Sequence, residues 1–283
     1  MLKRLTWLCA TLLLASCTGF KLGIANLPAR FGNFDRQAAL AYGTGPRRLL
    51  DVYVPRGAKG APVVVFWYGG GFVAGRREQY RFVGAALAQQ GMVAFLPDYR
   101  VYPDAVFPEF VKDAALAVKW VRDHAADYGG DPDKIFLMGH SAGGYLASLV
   151  ALDRRYLTEA GAADLRVRGF IALSTPHVLA PNTPMLNTIF GPPWKPADWQ
   201  PVEFAAAGSP PALLIHGADD SRVVRRHSEL LAAALSSQGV DVKLLLLQGI
   251  GHPDTVAALS VPLRSRAPVL AETVAFVQRW SAN

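Results

Sequence analysis

Apolar runs alternate with amphipathic stretches along most of this chain, and this alternation limits the folds that it can adopt. The runs are short, continuous and bounded by glycine, proline or aspartate, as is typical of strands buried on both faces of a sheet. Because helical stretches lie between them, we predict an α/β fold, with a mostly parallel sheet covered by helices on both faces. Strands are predicted over Leu49–Val54, Pro62–Tyr68, Met92–Pro97, Lys134–Met138, Val167–Leu173, Ala212–Ile215 and Lys243–Leu247, and helices over Gln79–Gln90, Phe107–Asp127, Ala142–Leu152, Ser228–Gln238 and Ala267–Trp280.

The length of the chain fits one large core. It has 283 residues, of which 51% are hydrophobic, so we predict a single main domain over residues 47–283. Between residues 176 and 211 prolines interrupt the alternation, and Trp194 and Trp199 lie among them. A loop this long in a compact enzyme is usually functional, so we interpret it as a cap over a pocket; a surface insertion is the alternative.

The first residues have the pattern of an export signal. Lys3 and Arg4 precede an apolar stretch that is too short to span a bilayer. The sequence Leu-Ala-Ser-Cys ending at Cys17 resembles a bacterial lipobox, in which the cysteine is lipid-modified and becomes the first residue. We therefore predict a lipoprotein signal peptide over residues 1–16 and a lipid-anchored tether and entry segment over residues 17–46. An ordinary secretory signal that contains a cysteine is the alternative.

The same leader indicates a location. A lipid on Cys17 would hold the exported protein in the bacterial cell envelope. Thr18 follows it, where inner-membrane lipoproteins of similar type carry aspartate, so we expect the outer membrane, on the periplasmic side. Both cysteines, Cys9 and Cys17, lie in this region, so export is argued from the leader and not from disulfides.

The charge balance bears on possible partners. Removal of residues 1–16 takes away Lys3 and Arg4 and no acid, so the formal net charge falls from +7 to +5. The basic residues form no stripe with interleaved aromatics, so no nucleic-acid partner is expected. The oligomeric state does not follow from these features.

A short motif indicates nucleophilic catalysis. The sequence Gly139-His-Ser-Ala-Gly143 lies between a predicted strand and a predicted helix. A serine on so sharp a turn needs nearly side-chain-free neighbours two before and two after it, and here both are glycine. This is the pattern of a nucleophile elbow, with Ser141 as the nucleophile. The alternative is a serine near a helix N-cap.

A serine hydroxyl needs a base, and the base needs an acid to orient it. Of six histidines, only His252 follows the last predicted strand, in a loop from which it could reach over the sheet. We predict it as the base; the alternative is a structural loop histidine. The acid is expected after the preceding strand, where Asp219 and Asp220 compete. Asp220 lies further along the turn and is favoured as the acid, with Asp219 capping or bracing the turn.

The negative charge that forms on oxygen during attack on a carbonyl must be stabilised by hydrogen-bond donors. The sequence Tyr68-Gly-Gly-Gly-Phe72 follows a predicted strand, and its glycines let the backbone approach a ligand closely. We predict an oxyanion hole from the amides of Gly70, Gly71 and Ala142. A flexible turn or a phosphate loop is the alternative, although the continuation typical of a phosphate loop is absent from the sequence.

Together these motifs resemble the esterase/lipase branch of the α/β-hydrolase superfamily, near hormone-sensitive-lipase-like and feruloyl-esterase-like carboxylesterases. The family's glycine motif usually begins with a histidine that braces the loop; Tyr68 stands there, and we expect its hydroxyl to do the same. Asp98 and Arg100 are expected to form an ion pair that braces a turn. The resemblance covers about residues 47–281 and rests on Tyr68-Gly-Gly-Gly-Phe72, Asp98-Tyr-Arg100, Gly129-Gly-Asp-Pro132, Gly139-His-Ser-Ala-Gly-Gly144, His216-Gly-Ala-Asp-Asp220 and Gly251-His252.

The resemblance implies a serine carboxylesterase that forms an acyl-enzyme and hydrolyses uncharged esters of short or medium acyl chains. No His, Cys, Asp and Glu cluster has metal spacing in the sequence, so no metal and no other cofactor is expected. Two alternatives stay open. One is an amide hydrolase such as an arylformamidase, and the other is an inactive hydrolase fold that serves as a binding protein.

Overall fold

One sheet organises the described part of the chain. The computed structural model describes residues 25–26 and 31–282. The predicted signal peptide and the predicted lipid-attachment site, Cys17, lie outside the described residues. The sheet contains eight strands in the order β1-β2-β4-β3-β5-β6-β7-β8. These strands are β1 (Phe34–Ala41), β2 (Leu49–Pro55), β3 (Ala61–Trp67), β4 (Val93–Pro97), β5 (Gly130–His140), β6 (Gly169–Leu173), β7 (Ala212–Gly217) and β8 (Val242–Leu247).

The predicted strands are all present, and the mostly parallel sheet is confirmed. Strands β3 to β8 pair in parallel, whereas β2 pairs antiparallel with both β1 and β4. Every residue of β4, β6 and β7 is buried, which explains why these segments are continuously apolar in the sequence.

Helices cover the sheet close to the predicted positions. The helix predicted over Gln79–Gln90 begins with a 3-10 turn at Arg77–Tyr80, and the one predicted over Phe107–Asp127 ends in a 3-10 turn at Ala125–Tyr128. The α-helices are α1 (Arg81–Ala88), α2 (Glu109–His124), α3 (Ala142–Leu152), α4 (Arg154–Glu159), α5 (Pro184–Phe190), α6 (Pro196–Trp199), α7 (Arg226–Ser237), α8 (Asp254–Ala257) and α9 (Val269–Ser281).

The edge strand β1 was not predicted. It lies within residues 17–46, which show little apolar periodicity, and most of its side chains are exposed. Backbone pairing with β2 and an ion pair between Arg36 and Asp51, 2.6 Å apart, hold it in place. An edge strand of this kind buries few side chains, so its sequence carries no apolar pattern.

The segment between residues 176 and 211 packs on the domain. It contains α5 and α6, and Trp199 is buried. The Trp199 indole donates to the carbonyl oxygen of Leu179, and its own carbonyl accepts the Tyr145 hydroxyl at 2.6 Å. Trp194 remains partly exposed, with its ring edge against Phe107. Because Tyr145 belongs to α3, this helix anchors the segment through Trp199.

Parallel pairing places the ends of several strands at one edge of the sheet. The glycine-rich loop follows β3, Ser141 follows β5, Asp220 follows β7, and His252 follows β8. In sheets of this type ligands bind at the carboxyl ends of the strands. Helices long and apolar enough to cross a membrane are not found within residues 25–26 and 31–282.

Candidate active site

Ser141 stands on a strained turn between β5 and α3. Its backbone has φ +55° and ψ −122°, a conformation that is uncommon for a residue with a Cβ. The turn is possible because a Cβ at position 139 would lie 2.2 Å from the Gly143 carbonyl, and one at position 143 would lie 2.1 Å from the carbonyl oxygen of Trp67. The two glycines therefore allow the close backbone contacts that present the serine, as the motif predicts.

Three predicted site residues are in hydrogen-bond contact. The Ser141 Oγ lies 2.9 Å from His252 Nε2, and His252 Nδ1 lies 2.7 Å from Asp220 Oδ2. All three side chains are buried. Because a carboxylate only accepts, His252 Nδ1 carries the ring proton in the neutral state. Its Nε2 is then free to accept the serine proton.

Asp220, and not Asp219, contacts the histidine. Asp219 is exposed, whereas the second oxygen of Asp220 accepts the backbone amides of Arg222 and Val223, each at 2.9 Å. Burial acts to raise the pKa of Asp220, but hydrogen bonds from His216, His252 and Val223 outweigh it and hold this pKa well below its usual value. The carboxylate is therefore ionised and fixed in orientation.

A second histidine braces this acid. His216 is fully buried, and its Nε2 lies 2.8 Å from the Val223 carbonyl and 3.5 Å from Asp220 Oδ2. Its Nδ1 accepts the Ser228 hydroxyl at 2.7 Å. Since a carbonyl can only accept, the proton is on Nε2, where it is donated to the Val223 carbonyl with Asp220 Oδ2 as a second, more distant acceptor. A role for His216 or Ser228 could not be predicted from the sequence, because their proximity to Asp220 depends on the fold of β7 and α7.

The glycine-rich loop approaches the serine from the end of β3. A Cβ at position 69 would lie 2.9 Å from the Cβ of Ser141, and one at position 70, where φ is +156°, would lie 1.9 Å from the Ala74 carbonyl oxygen. Gly70, Gly71 and Ala142 all line the same cavity as Ser141. Within the described chain, the amides of these three residues donate to no protein acceptor. They are therefore available to an oxygen bound beside Ser141.

Tyr68 braces this loop, as expected from its position. Its buried hydroxyl donates to Asp98 Oδ1 at 2.8 Å. Asp98 is also ion-paired with Arg77, whose backbone amide donates to Asp98 Oδ1 at 2.9 Å. The predicted ion pair between Asp98 and Arg100 is wrong. Arg100 instead pairs with Asp113 at 2.8 Å. Asp98 and Arg100 therefore belong to two separate ion-pair networks.

His140 and Thr255 hold the loop that carries His252. The Nε2–H of His140 donates to the His252 carbonyl at 2.9 Å, and the Thr255 hydroxyl is 3.1 Å from the same oxygen. Burial, followed by repulsion from His252, lowers the pKa of His140 to about 3, so its ring is neutral. The motifs in the sequence do not predict these roles, although the position of His140 directly before Ser141 is a feature that could have indicated one.

A cavity of about 660 Å³ opens above Ser141 and His252. Pro176, Leu179 and Leu186, from the proline-rich segment, form part of its wall. Groups of three or more His, Cys, Asp or Glu side chains arranged to hold a metal ion are not found in the described ranges. The site thus combines a hydroxyl, a hydrogen-bonded base and free amides at the wall of one cavity.

Comparison with known proteins places this geometry in a family. The BD-FAE family model matches residues 50–235. The chain belongs to the BD-FAE family. Among its curated relatives, a probable isoprenylcysteine alpha-carbonyl methylesterase of Oryza sativa subsp. japonica is 30% identical over 85% of this chain and 64% of the relative. Esterase LipC of Mycobacterium tuberculosis is 32% identical over 79% of this chain and 61% of that protein.

Solved structures agree with this family assignment. A hyperthermophilic esterase of Pyrobaculum calidifontis has a TM-score of 0.78 at 26% identity, over 96% of this chain and 94% of that one. A Thermogutta terrifontis esterase with butyrate bound has a TM-score of 0.68 at 25% identity, over 88% and 93%. The α/β-hydrolase fold predicted for this BD-FAE member is confirmed, and its relatives are esterases. The chain spans less than two thirds of the length of these two curated relatives, 64% and 61%.

Proposed function

We propose that this protein is a serine carboxylesterase that hydrolyses short- to medium-chain carboxylic esters through an acyl-enzyme. The observation that carries the proposal is the contact of Ser141 Oγ, His252 Nε2 and Asp220 at 2.9 and 2.7 Å, at the wall of a cavity. The esterase relatives support ester hydrolysis over the formamidase alternative.

In the first half-reaction, Ser141 Oγ attacks the ester carbonyl carbon while His252 Nε2 takes its proton. Asp220 stabilises the resulting imidazolium and keeps the ring in place. His252 then gives the proton to the departing alkoxide as the ester C–O bond breaks, which leaves an acyl group on Ser141. In the second half-reaction, water loses a proton to His252 and attacks the acyl carbon. His252 then returns the proton to Ser141 Oγ as the acyl–serine C–O bond breaks, which releases a carboxylic acid and restores the enzyme.

The oxyanion of each tetrahedral intermediate is held by the amides of Gly70, Gly71 and Ala142. They lie at the cavity wall and have no competing acceptor among the described residues. The Ala142 amide is at the N-terminus of α3, where the first amides of a helix lack intrahelical partners. Such donors contribute about 3 kcal/mol each to the transition state in acyl-transfer enzymes.

Two observations support the proposed acyl-chain range. Its volume of about 660 Å³ is within the ordinary range for small-molecule sites. A similar esterase has been solved with butyrate or propionate bound, which supports short acyl groups here. We assign residues 176–211 as the cap, because Pro176, Leu179 and Leu186 close one side of this cavity.

The test is hydrolysis of p-nitrophenyl esters from acetate to palmitate by the purified full-length protein and its Ser141→Ala variant. We expect turnover that depends on Ser141 and is highest for short or medium chains. Equal rates for the two proteins on every ester would refute the proposal. A maximum at palmitate would refute the chain-length assignment alone.

A lipid anchor on Cys17 is a separate proposal, supported by the lipobox-like sequence that ends there. Cells that express the wild type should hold an acylated protein in the envelope, at the periplasmic face of the outer membrane. Cys17→Ser should abolish acylation and release the protein from the membrane. An acylated, membrane-bound Cys17→Ser protein would contradict the anchor.

A further inference from the structure

One cation in the active-site cavity has no partner among the described residues. Arg222 lies two residues after Asp220 and lines the same cavity as Ser141. Its backbone amide bonds to Asp220, but its guanidinium makes no ion pair or hydrogen bond with any residue in the described ranges. Arg222 is exposed, whereas the structural arginine Arg77 is buried and pairs with Asp51 and Asp98. The guanidinium of Arg222 is therefore free to meet a ligand.

The only acidic side chain that lines this cavity in the described residues is already occupied. Asp254 pairs with Arg266 at 3.1 Å through one oxygen and accepts the Gly251 amide at 3.1 Å through the other. Its charge is thus largely compensated from outside the cavity. The balance of charge inside the cavity is set by Arg222.

Neutral donors add to this positive character. His227 Nδ1 accepts the Val178 amide at 3.3 Å, so the ring proton is on Nε2. Burial, with repulsion from His216, lowers the pKa of His227, which keeps it in this neutral form. Gln79 accepts a hydrogen bond from the Arg76 amide through Oε1, and its NH2 group donates to no residue in the described ranges. Both His227 and Gln79 line the cavity.

The charge of Arg222 acts close to the reacting groups. Burial is the main cause of the low pKa of His140, and repulsion from His252 and Arg222 acts in the same direction. Since Arg222 and Ser141 line the same cavity, an anion bound by Arg222 would share that cavity with an ester held at Ser141. A guanidinium pairs well with a carboxylate because two N–H groups can donate to its two oxygens.

We propose that Arg222 is a specificity-determining residue that binds an anionic group, such as a carboxylate, on the ester substrate. The preferred substrate class is then an ester with a second, ionised acid group. This substrate class differs from the uncharged esters that the sequence resemblance implies. The inference rests on the proposed function, since Ser141 must hydrolyse esters for Arg222 to select among them.

Two pairs of esters test this, each with a carboxylate and its near-isosteric carboxamide. The 4-nitrophenyl monoesters of glutaric acid and glutaramic acid place the group on the acyl side, and 4-carboxyphenyl and 4-carbamoylphenyl acetate place it on the alcohol side. The measured quantity is the ratio of kcat/KM for carboxylate to carboxamide, after the rate with Ser141→Ala is subtracted.

The full-length wild type is compared with Arg222→Gln and Arg222→Lys. Arg225→Gln is the matched control, because Arg225 is half-exposed, pairs with Glu229 at 3.4 Å and is not among the residues that line the cavity.

We expect Arg222→Gln to lower this ratio about tenfold for at least one pair and to leave the carboxamide rates nearly unchanged. Arg222→Lys should retain part of the preference, and Arg225→Gln should retain all of it. An unchanged ratio in Arg222→Gln for both pairs would overturn the inference. An equal fall of this ratio in Arg225→Gln would also overturn it, because the preference would then come from the general surface charge. Absence of Ser141-dependent hydrolysis of all four esters would instead refute the proposed function itself.

Discussion

The backbone carbonyl of His252 accepts a hydrogen bond from the ring of His140, 2.9 Å away. This bond joins the turn that presents Ser141 to the loop that presents its base, although the two residues are 112 positions apart. The distance between nucleophile and base is thus set partly by the residue next to the nucleophile. His140 is a positioning residue, since its ring bonds to the His252 backbone, whereas Ser141 Oγ bonds to the His252 ring.

His140→Leu should lower kcat about tenfold and change KM little, because a base displaced by a fraction of an ångström transfers protons less efficiently. His140→Gln, whose amide can donate to the same carbonyl, should recover part of the rate. Steady-state kinetics on p-nitrophenyl butyrate checks this. If both variants keep the wild-type kcat, the bond has no positioning role.

Asp220→Asn should lower kcat about 10³- to 10⁴-fold, because an amide in place of the carboxylate favours the wrong tautomer of His252 and no longer stabilises its charge. Asp219→Asn is the matched control: this neighbour is exposed and should be replaced with little effect. Both rates are measured beside circular dichroism spectra. A larger loss in Asp219→Asn would transfer the acid role to that residue.

Tyr68→Phe removes a buried hydroxyl that burial, together with Tyr99 and Asp98, keeps protonated by raising its pKa. The lost bond to Asp98 should lower the free energy of unfolding by about 1–2 kcal/mol and reduce kcat through the glycine-rich loop. Denaturant unfolding and ester kinetics measure the two effects. Tyr102→Phe is the control, since the Tyr102 hydroxyl bonds to no residue in the described ranges. Equal behaviour of the two variants would exclude a bracing role for Tyr68.

His177 makes stability depend on pH. It is fully buried with both ring nitrogens unpartnered in the described structure, and burial, then repulsion from His216 and His227, holds its pKa well below the usual value. The unfolded chain therefore binds a proton below about pH 6.5 that the folded chain does not, so stability is lost as the pH falls.

His177→Leu should make the difference in unfolding free energy between pH 7.5 and pH 5 smaller by up to about 2 kcal/mol. Urea denaturation at the two pH values gives this difference directly. The remaining pH dependence would include His140, which is neutral for the same reason. A difference as large as that of the wild type would mean that His177 is not held neutral by the fold.

The apolar pattern predicted the sheet well because β4, β6 and β7 are buried on both faces. The same principle explains why β1 was missed: its exposed side chains leave no pattern, and its position depends on pairing with β2. Strand order likewise cannot be deduced from runs of apolar residues, since it is set by how distant segments pack.

The candidate site likewise contains residues that could be predicted from the sequence and residues that could not. Ser141 and His252 could be placed from local motifs, because a sharp turn and a final strand end have sequence signatures. The partners of Asp98 and Arg100 could not, since Arg77 and Asp113 reach them from different helices. That the guanidinium of Arg222 has no partner in the described part of the chain could not be predicted either, because side-chain partners depend on the fold.

The most direct test of the account is to trap the covalent intermediate on Ser141. The full-length protein is incubated with a fluorophosphonate, or quenched in acid during turnover of p-nitrophenyl butyrate, and the adduct is located by peptide mass spectrometry. We predict one adduct per chain on Ser141, none in folded Ser141→Ala, and slow labelling in His252→Ala. Folded wild type that remains unlabelled, or that carries the adduct on another residue, would contradict the serine-esterase mechanism.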